Sequence, residues 1–353
     1  MIRVQPGSIE TLADLRGALQ SAIQLEHATI PPYLTAFFTL KGTGDGARYA
    51  AQTLHDVFME EMLHMHLAAN ILNAVGGRPA INDPAFIPDY PGPLPMGIGS
   101  GRPGGLTVGI KRYSKQTVKK TFMEIEEPED KLDLPTRESV RKSLFTAAPP
   151  TTYETIGEFY HAIAAAITRL GESIFTGDPG LQVPGAIQVA DVASAIEAIT
   201  TIITQGEGTS TSPADGDPGD ELAHYYRYQQ LYRGMKIVPD PSAPDKYAFD
   251  PKQPIIVDDM ADVIQMADNP ATVTLDPTGD WRAIQLSDEF DSSYTRLLNC
   301  LHIAFNGDPD RINDAIAIMY ELKNSAEELL QQQLSGAKYK GQFAGPRFRY
   351  AGP

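Results

Sequence analysis

Between residues 54 and 75 apolar side chains return every three or four positions, as Leu54, Val57, Ala68, Ile71 and Val75. That period specifies a helix with one inward face. Glu61 and His64 share the face, one turn apart. A bare carboxylate among apolar neighbours is costly unless something pairs or coordinates it. A Glu-x-x-His pair on an inward face is the unit from which helical bundles build two-metal sites. The competing reading, a Glu and a His on a partly wet face, is the commoner one for a single pair. The rest of the chain decides between them.

A second misplaced carboxylate lies upstream. Residues 8–40 read as a long helix, with Ser8 or Thr11 as cap and an apolar stripe of Leu12, Leu15, Leu19, Ile23, Ile30, Leu34 and Phe37. Glu26 fills the gap in that stripe. Pro31 and Pro32 follow, and prolines at these positions free carbonyls one turn back, at His27 and Ala28. A kink beside a buried glutamate suits a functional site, whereas the plain alternative ends the helix at Thr29.

Further elements are expected in order. Residues 78–115 form a Pro- and Gly-rich excursion with one strand at 106–111, then a short helix over 114–126. The acidic run from Glu126 to Asp130 reads as a solvated turn. A third long helix, 151–174, is capped by Thr151 or Thr152 and carries Glu154, Glu158 and His161. A fourth, 187–205, ends near Glu207. Glu221 and His224 open a later helix and repeat the Glu-x-x-His spacing. Residues 239–285 show no strong period. Two helices at 287–305 and 309–335 form a hairpin. Phe343, Phe348 and Tyr350 are available to anchor the tail.

In chain order the buried-phase polar residues are Glu26, then Glu61 with His64, then Glu158, then Glu221 with His224. Four carboxylates and two histidines in this order are the ligand set of a ferritin-like di-metal site. Four anionic donors balance two divalent cations, and one imidazole per metal leaves open positions. Glu207, Glu154 and His161 are rivals for the second metal. Tyr33, Glu207 and His161 are the candidate catalytic residues. His27, His55, His66 and His302 read as structural, with the alternative that His27, beside Glu26, supports a ligand from behind. The chain has one cysteine, Cys300, which excludes a thiolate cluster.

The segments Leu25–Leu34, Glu60–His64, Ala68–Asn70 with Gly76-Gly77, Gly157–Tyr160, Gln205–Gly208 and Glu221–Tyr226 resemble the ferritin-like domain of the iminophenyl-pyruvate dimer synthase family. That domain also occurs in the imine-dimerising enzymes of violacein and rebeccamycin biosynthesis. The likeness covers about residues 8–235 and extends to Gly345–Phe348. It implies an O2-dependent di-iron oxidase or oxygenase of secondary metabolism, acting on an aromatic or amino-acid-derived imine or enamine. Tyr33, Phe37, Tyr160 and Tyr225 would line its pocket. A metal-binding partner of a larger enzyme, without turnover of its own, is the alternative, and a catalase-like or iron-oxidising activity is a third.

The expectation is therefore an all-α, ferritin-like four-helix bundle with additional C-terminal helices and a long irregular excursion. Residues 1–238 would form the bundle, with the loop region 78–130 inserted. Residues 239–353 would pack on it as part of the same unit. The cofactors expected are two iron ions, with manganese or zinc as alternatives, and the partners are O2 and a small molecule. A formal charge of −16 argues against nucleic acid or an anionic membrane surface. The N-terminus shows no signal-peptide pattern, so a cytoplasmic location is expected, and a homo-oligomer is compatible with the sequence.

Overall fold

A computed structural model describes residues 9–101, 104–129, 131, 132, 134, 153–209, 212–214 and 221–352. The first helix, α1, runs Leu12–Thr39. Thr11 caps it: its hydroxyl accepts from the Asp14 amide at 3.1 Å, and Asp14 answers on the Thr11 amide at 2.8 Å. Ser8 lies outside the described residues. The helix does not stop at the prolines, because Pro31 and Pro32 sit inside it. The carbonyl of Ala28, which the missing amide of Pro32 leaves unpaired, accepts the Tyr90 hydroxyl at 2.7 Å.

Helix α2, Asp45–Ala74, returns along α1 and is its most extensive partner. The excursion that follows holds an isolated bridge between Gly92 and Val108 rather than the expected strand. It ends in a short helix, α3, made of Lys115–Thr117, a π-helical turn over Val118–Phe122, and Met123–Ile125. Helix α4 is Ile156–Leu170 and α5 is Val192–Glu207. Contacts run α1 to α2, α2 to α5, α5 to α4 and α4 back to α1, which closes a ring of four helices.

Helix α6, His224–Arg233, packs on the π turn of α3. It leads into a two-stranded antiparallel sheet, β1 Met235–Pro239 and β2 Tyr247–Pro254, the second strand lying in the region 239–285 whose lack of strong period gave no warning of it. Helices α7, Trp281–Phe305, and α8, Ile312–Leu329, form the expected hairpin, and α8 touches α1. The tail is anchored as expected by Phe348, whose ring meets Phe290 at 5.0 Å and Tyr294 at 5.2 Å. Arg347 adds an ion pair with Asp291 at 2.6 Å. No helix among the described residues is long and apolar enough to cross a membrane.

Candidate metal centre

The five members of the central cluster arrive from four elements of the chain. Glu26 points inward from α1, and Glu61 and His64 from α2. Glu126 is the residue that ends α3, and His224 is the first residue of α6. All five are at most 4 % exposed. Ligand-type atoms of Glu26, Glu61 and His64 lie within 4.8 Å of one another, as do those of Glu61, Glu126 and His224. Glu61 belongs to both groups. The two imidazole rings are stacked 5.5 Å apart at 24°.

The side chains are held in place by a frame of buried hydrogen bonds. Tyr160 donates its hydroxyl to Glu26, and Tyr33 donates to Glu126. Thr29 donates to Glu61 at 2.9 Å. His64 sets Nε2 against the Gln205 amide oxygen at 2.9 Å and turns Nδ1 toward Glu26 and Glu61, at 3.7 and 3.9 Å. His224 sets Nε2 against Glu60 at 2.8 Å. Its Nδ1 has oxygens of Glu61 and Glu126 at 2.8 and 3.5 Å, neither in hydrogen-bonding geometry. A buried imidazole that turns one nitrogen toward carboxylates and sets the other against a hydrogen-bond acceptor has the arrangement of a metal-ligating histidine.

The electrostatics show the same crowding of charge. Burial, with the neighbouring Glu126, pushes the Glu61 carboxyl up to about 8. Burial alone would lower both imidazoles, but the facing carboxylates outweigh it. His64 is raised by Glu26 and Glu61, and His224 well above its ordinary value by Glu126, Glu60 and Glu61. Among the described residues no lysine or arginine pairs with Glu26, Glu61 or Glu126. Glu207, at the end of α5, shares a narrow pocket with Glu26, Glu61, His64 and Glu126. It accepts from the amides of Gly157 at 2.7 Å and Glu129 at 3.2 Å, and burial raises its carboxyl to about 7.

A family model described as ferritin-like matches residues 19–233. The chain belongs to the ferritin-like family. Its fold is similar to that of a ferritin-like protein from Caulobacter vibrioides, solved at 1.95 Å, with a TM-score of 0.60 and 21% identity. The match covers 97% of this chain and 100% of that one. At this identity the likeness shows the fold. Comparison with curated proteins gave no match.

In this ferritin-like protein, Glu26, Glu61, His64 and His224 come together, and Glu158 and Glu221 do not join them. Thr151 and Thr152 lie outside the described residues, and α4 starts later than expected, with Thr155 as its cap. Glu158 therefore falls in the first turn, where its carboxylate accepts the Glu154 amide at 2.6 Å. Tyr160 is the residue of α4 that faces inward, buried and bonded to Glu26. Glu221 precedes α6, and Ala223 is the extended residue before it, so the three-residue spacing to His224 has no helical meaning. Its carboxylate pairs with Arg227 at 3.1 Å and is 63% exposed. His161, named as a rival ligand and catalytic residue, is 61% exposed and lies 3.9 Å from Glu129.

Glu126 was the residue missed. It reads as the first member of a solvated acidic run, yet it is 4% exposed. The available signal was its phase: Val118, Phe122 and Glu126 recur at intervals of four, and the first two are core residues. A π-helical turn just before it matches the frequent use of such turns at functional sites. Of the expected pocket aromatics, Tyr33 and Tyr160 meet the cluster, and Phe37 and Tyr225 lie elsewhere. Phe37 packs against Phe58 and His55, and Tyr225 lines a separate outer pocket with Lys119, Tyr232 and Arg233. His27 is structural, bonded to the Tyr294 hydroxyl at 2.6 Å.

Proposed function

We propose that this protein holds two transition-metal ions, one among Glu26, Glu61 and His64 and one among Glu61, Glu126 and His224, and that it acts as an O2-dependent di-iron oxidase. The observation that carries the reading is the buried Nδ1 of His224, which faces the carboxylates of Glu61 and Glu126 outside hydrogen-bonding geometry, with no lysine or arginine pairing with either among the described residues. Three carboxylates in the cluster, with Glu207 beside them, supply the charge that two divalent ions neutralise. Nitrogen and oxygen donors without a thiolate suit iron, with manganese and zinc as alternatives.

An iron pair would supply electrons to O2. The chain's own residues bind and orient: Tyr33 and Tyr160 fix the outer carboxylates, and Thr29 fixes Glu61. Glu207, raised to about 7 at the pocket wall, is placed to hold a proton near neutral pH. The resemblance to the iminophenyl-pyruvate dimer synthase family supports an aromatic or amino-acid-derived imine as substrate. A second reading rests on the pocket itself. Its walls include Ile156, Ile202 and Ile203, and it is narrow, which favours turnover of O2, peroxide or Fe(II) alone.

Protein loaded with iron should hold about two metals per chain. Glu61→Ala, which removes the shared carboxylate, should reduce this sharply, and His64→Ala should remove about one. Occupancy unchanged in both variants contradicts the reading. O2 uptake measured with Fe(II) alone and with an added aromatic imine separates the two activities.

A further inference from the structure

The two halves of the cluster are built alike except at one point. Glu26 and Glu126 each accept a buried tyrosine hydroxyl, from Tyr160 and Tyr33. Glu61 is common to both halves. Both imidazoles turn Nδ1 toward the carboxylates. The difference lies behind the rings. His64 gives Nε2 to a neutral amide, Gln205, at 2.9 Å. His224 gives Nε2 to a carboxylate, Glu60, at 2.8 Å. Glu60 is itself fixed by Arg227, with Nη1 at 2.8 Å, and Arg227 reaches Glu221 through Nη2. One guanidinium thus serves two carboxylates, and the group behind His224 keeps a net negative charge. An imidazole whose far N–H faces an anion is a more basic ligand than one whose N–H faces an amide, because the anion stabilises charge drawn through the ring.

On the di-metal reading above, we infer that the two metal positions are unequal. The position of Glu61, Glu126 and His224 fills first and more tightly, and Glu60 is the positioning residue that makes it so. This assigns a task to Glu221 as well. It is no ligand, but part of the Arg227 anchor on Glu60.

Titration with Co(II), followed by calorimetry and visible absorption, tests the inference. The unaltered protein should bind in two resolved steps, and a crystal with one equivalent of Co(II) should place it beside His224. Glu60→Gln keeps the shape but removes the charge. It should weaken the tight step by roughly 10–100-fold and leave the weaker step unchanged. Gln205→Glu, which supplies the anion behind His64, should strengthen the weaker step and stands as an independent test should Glu60→Gln fail to fold. A merely structural role for Glu60 would weaken both steps alike. Equal first and second steps, or a Glu60→Gln effect on both or neither, overturns the inequality while the metal reading stands. Absence of any Co(II) binding overturns the metal reading itself.

Discussion

At the scale of single residues, the cluster stores protons where metal is expected. Glu207 is raised from 4.5 to about 7 by burial, so its proton is retained in the folded chain at pH values where the unfolded chain has lost it. The metal-free fold therefore loses stability as pH rises from about 4.5 to 7. His64 and His224 act in the same direction: each is raised on folding, so each contributes below about 6.5 and is lost as pH climbs through its higher folded value. Thermal melts of metal-free protein should fall steadily between pH 5 and 8. Glu207→Gln, which cannot ionise, should flatten the acidic part of that slope. A melting temperature that rises with pH in this range would show that these groups are not the proton store. Residue chemistry also explains why Glu126 was missed: it opens an acidic run that continues with half-buried Glu127 and exposed Glu129, and composition averaged over the run concealed its phase.

At the scale of elements, the decisive features are helix ends. α4 begins at Ile156 and α6 at His224, so the carboxylates at 158 and 221, both correctly spaced in sequence, fall in a first turn and ahead of one. Periodicity fixed α1, α2 and the terminal hairpin well, because long amphipathic stripes average out local noise. It misjudged short helices, whose ends rest on caps and on contacts across the fold. Inside α1 the sequence foretold freed carbonyls at the prolines, and the structure supplies a partner for one of them in Tyr90. Tyr90→Phe should cost about 1–3 kcal/mol, the usual cost of an unmet buried acceptor. In a Pro32→Ala background the cost should shrink, because the new amide at position 32 can reach the Ala28 carbonyl. Denaturant melts of the two single variants and the double variant check this. Strictly additive costs would show that the hydroxyl and the missing amide are unrelated.

At the scale of the whole molecule, four helices form the ring, while two of the five clustered side chains come from outside it, on α3 and α6. Sequence could suggest the bundle, since each long helix carries its own stripe. It pointed to His224 on the helix after α5, but it could not show that Glu126, at the end of a short helix after the excursion, joins the cluster, because that depends on packing between distant segments. The central claim is that these segments meet to hold two ions bridged by Glu61. Anomalous diffraction from crystals saturated with iron or cobalt tests it most directly. The account predicts two peaks about 3.5–4 Å apart, one within ligand distance of Glu26, Glu61 and His64, the other of Glu61, Glu126 and His224, with Glu158 and Glu221 bound to neither. No peak inside the ring, or a peak held by Glu158 and His161, would contradict it.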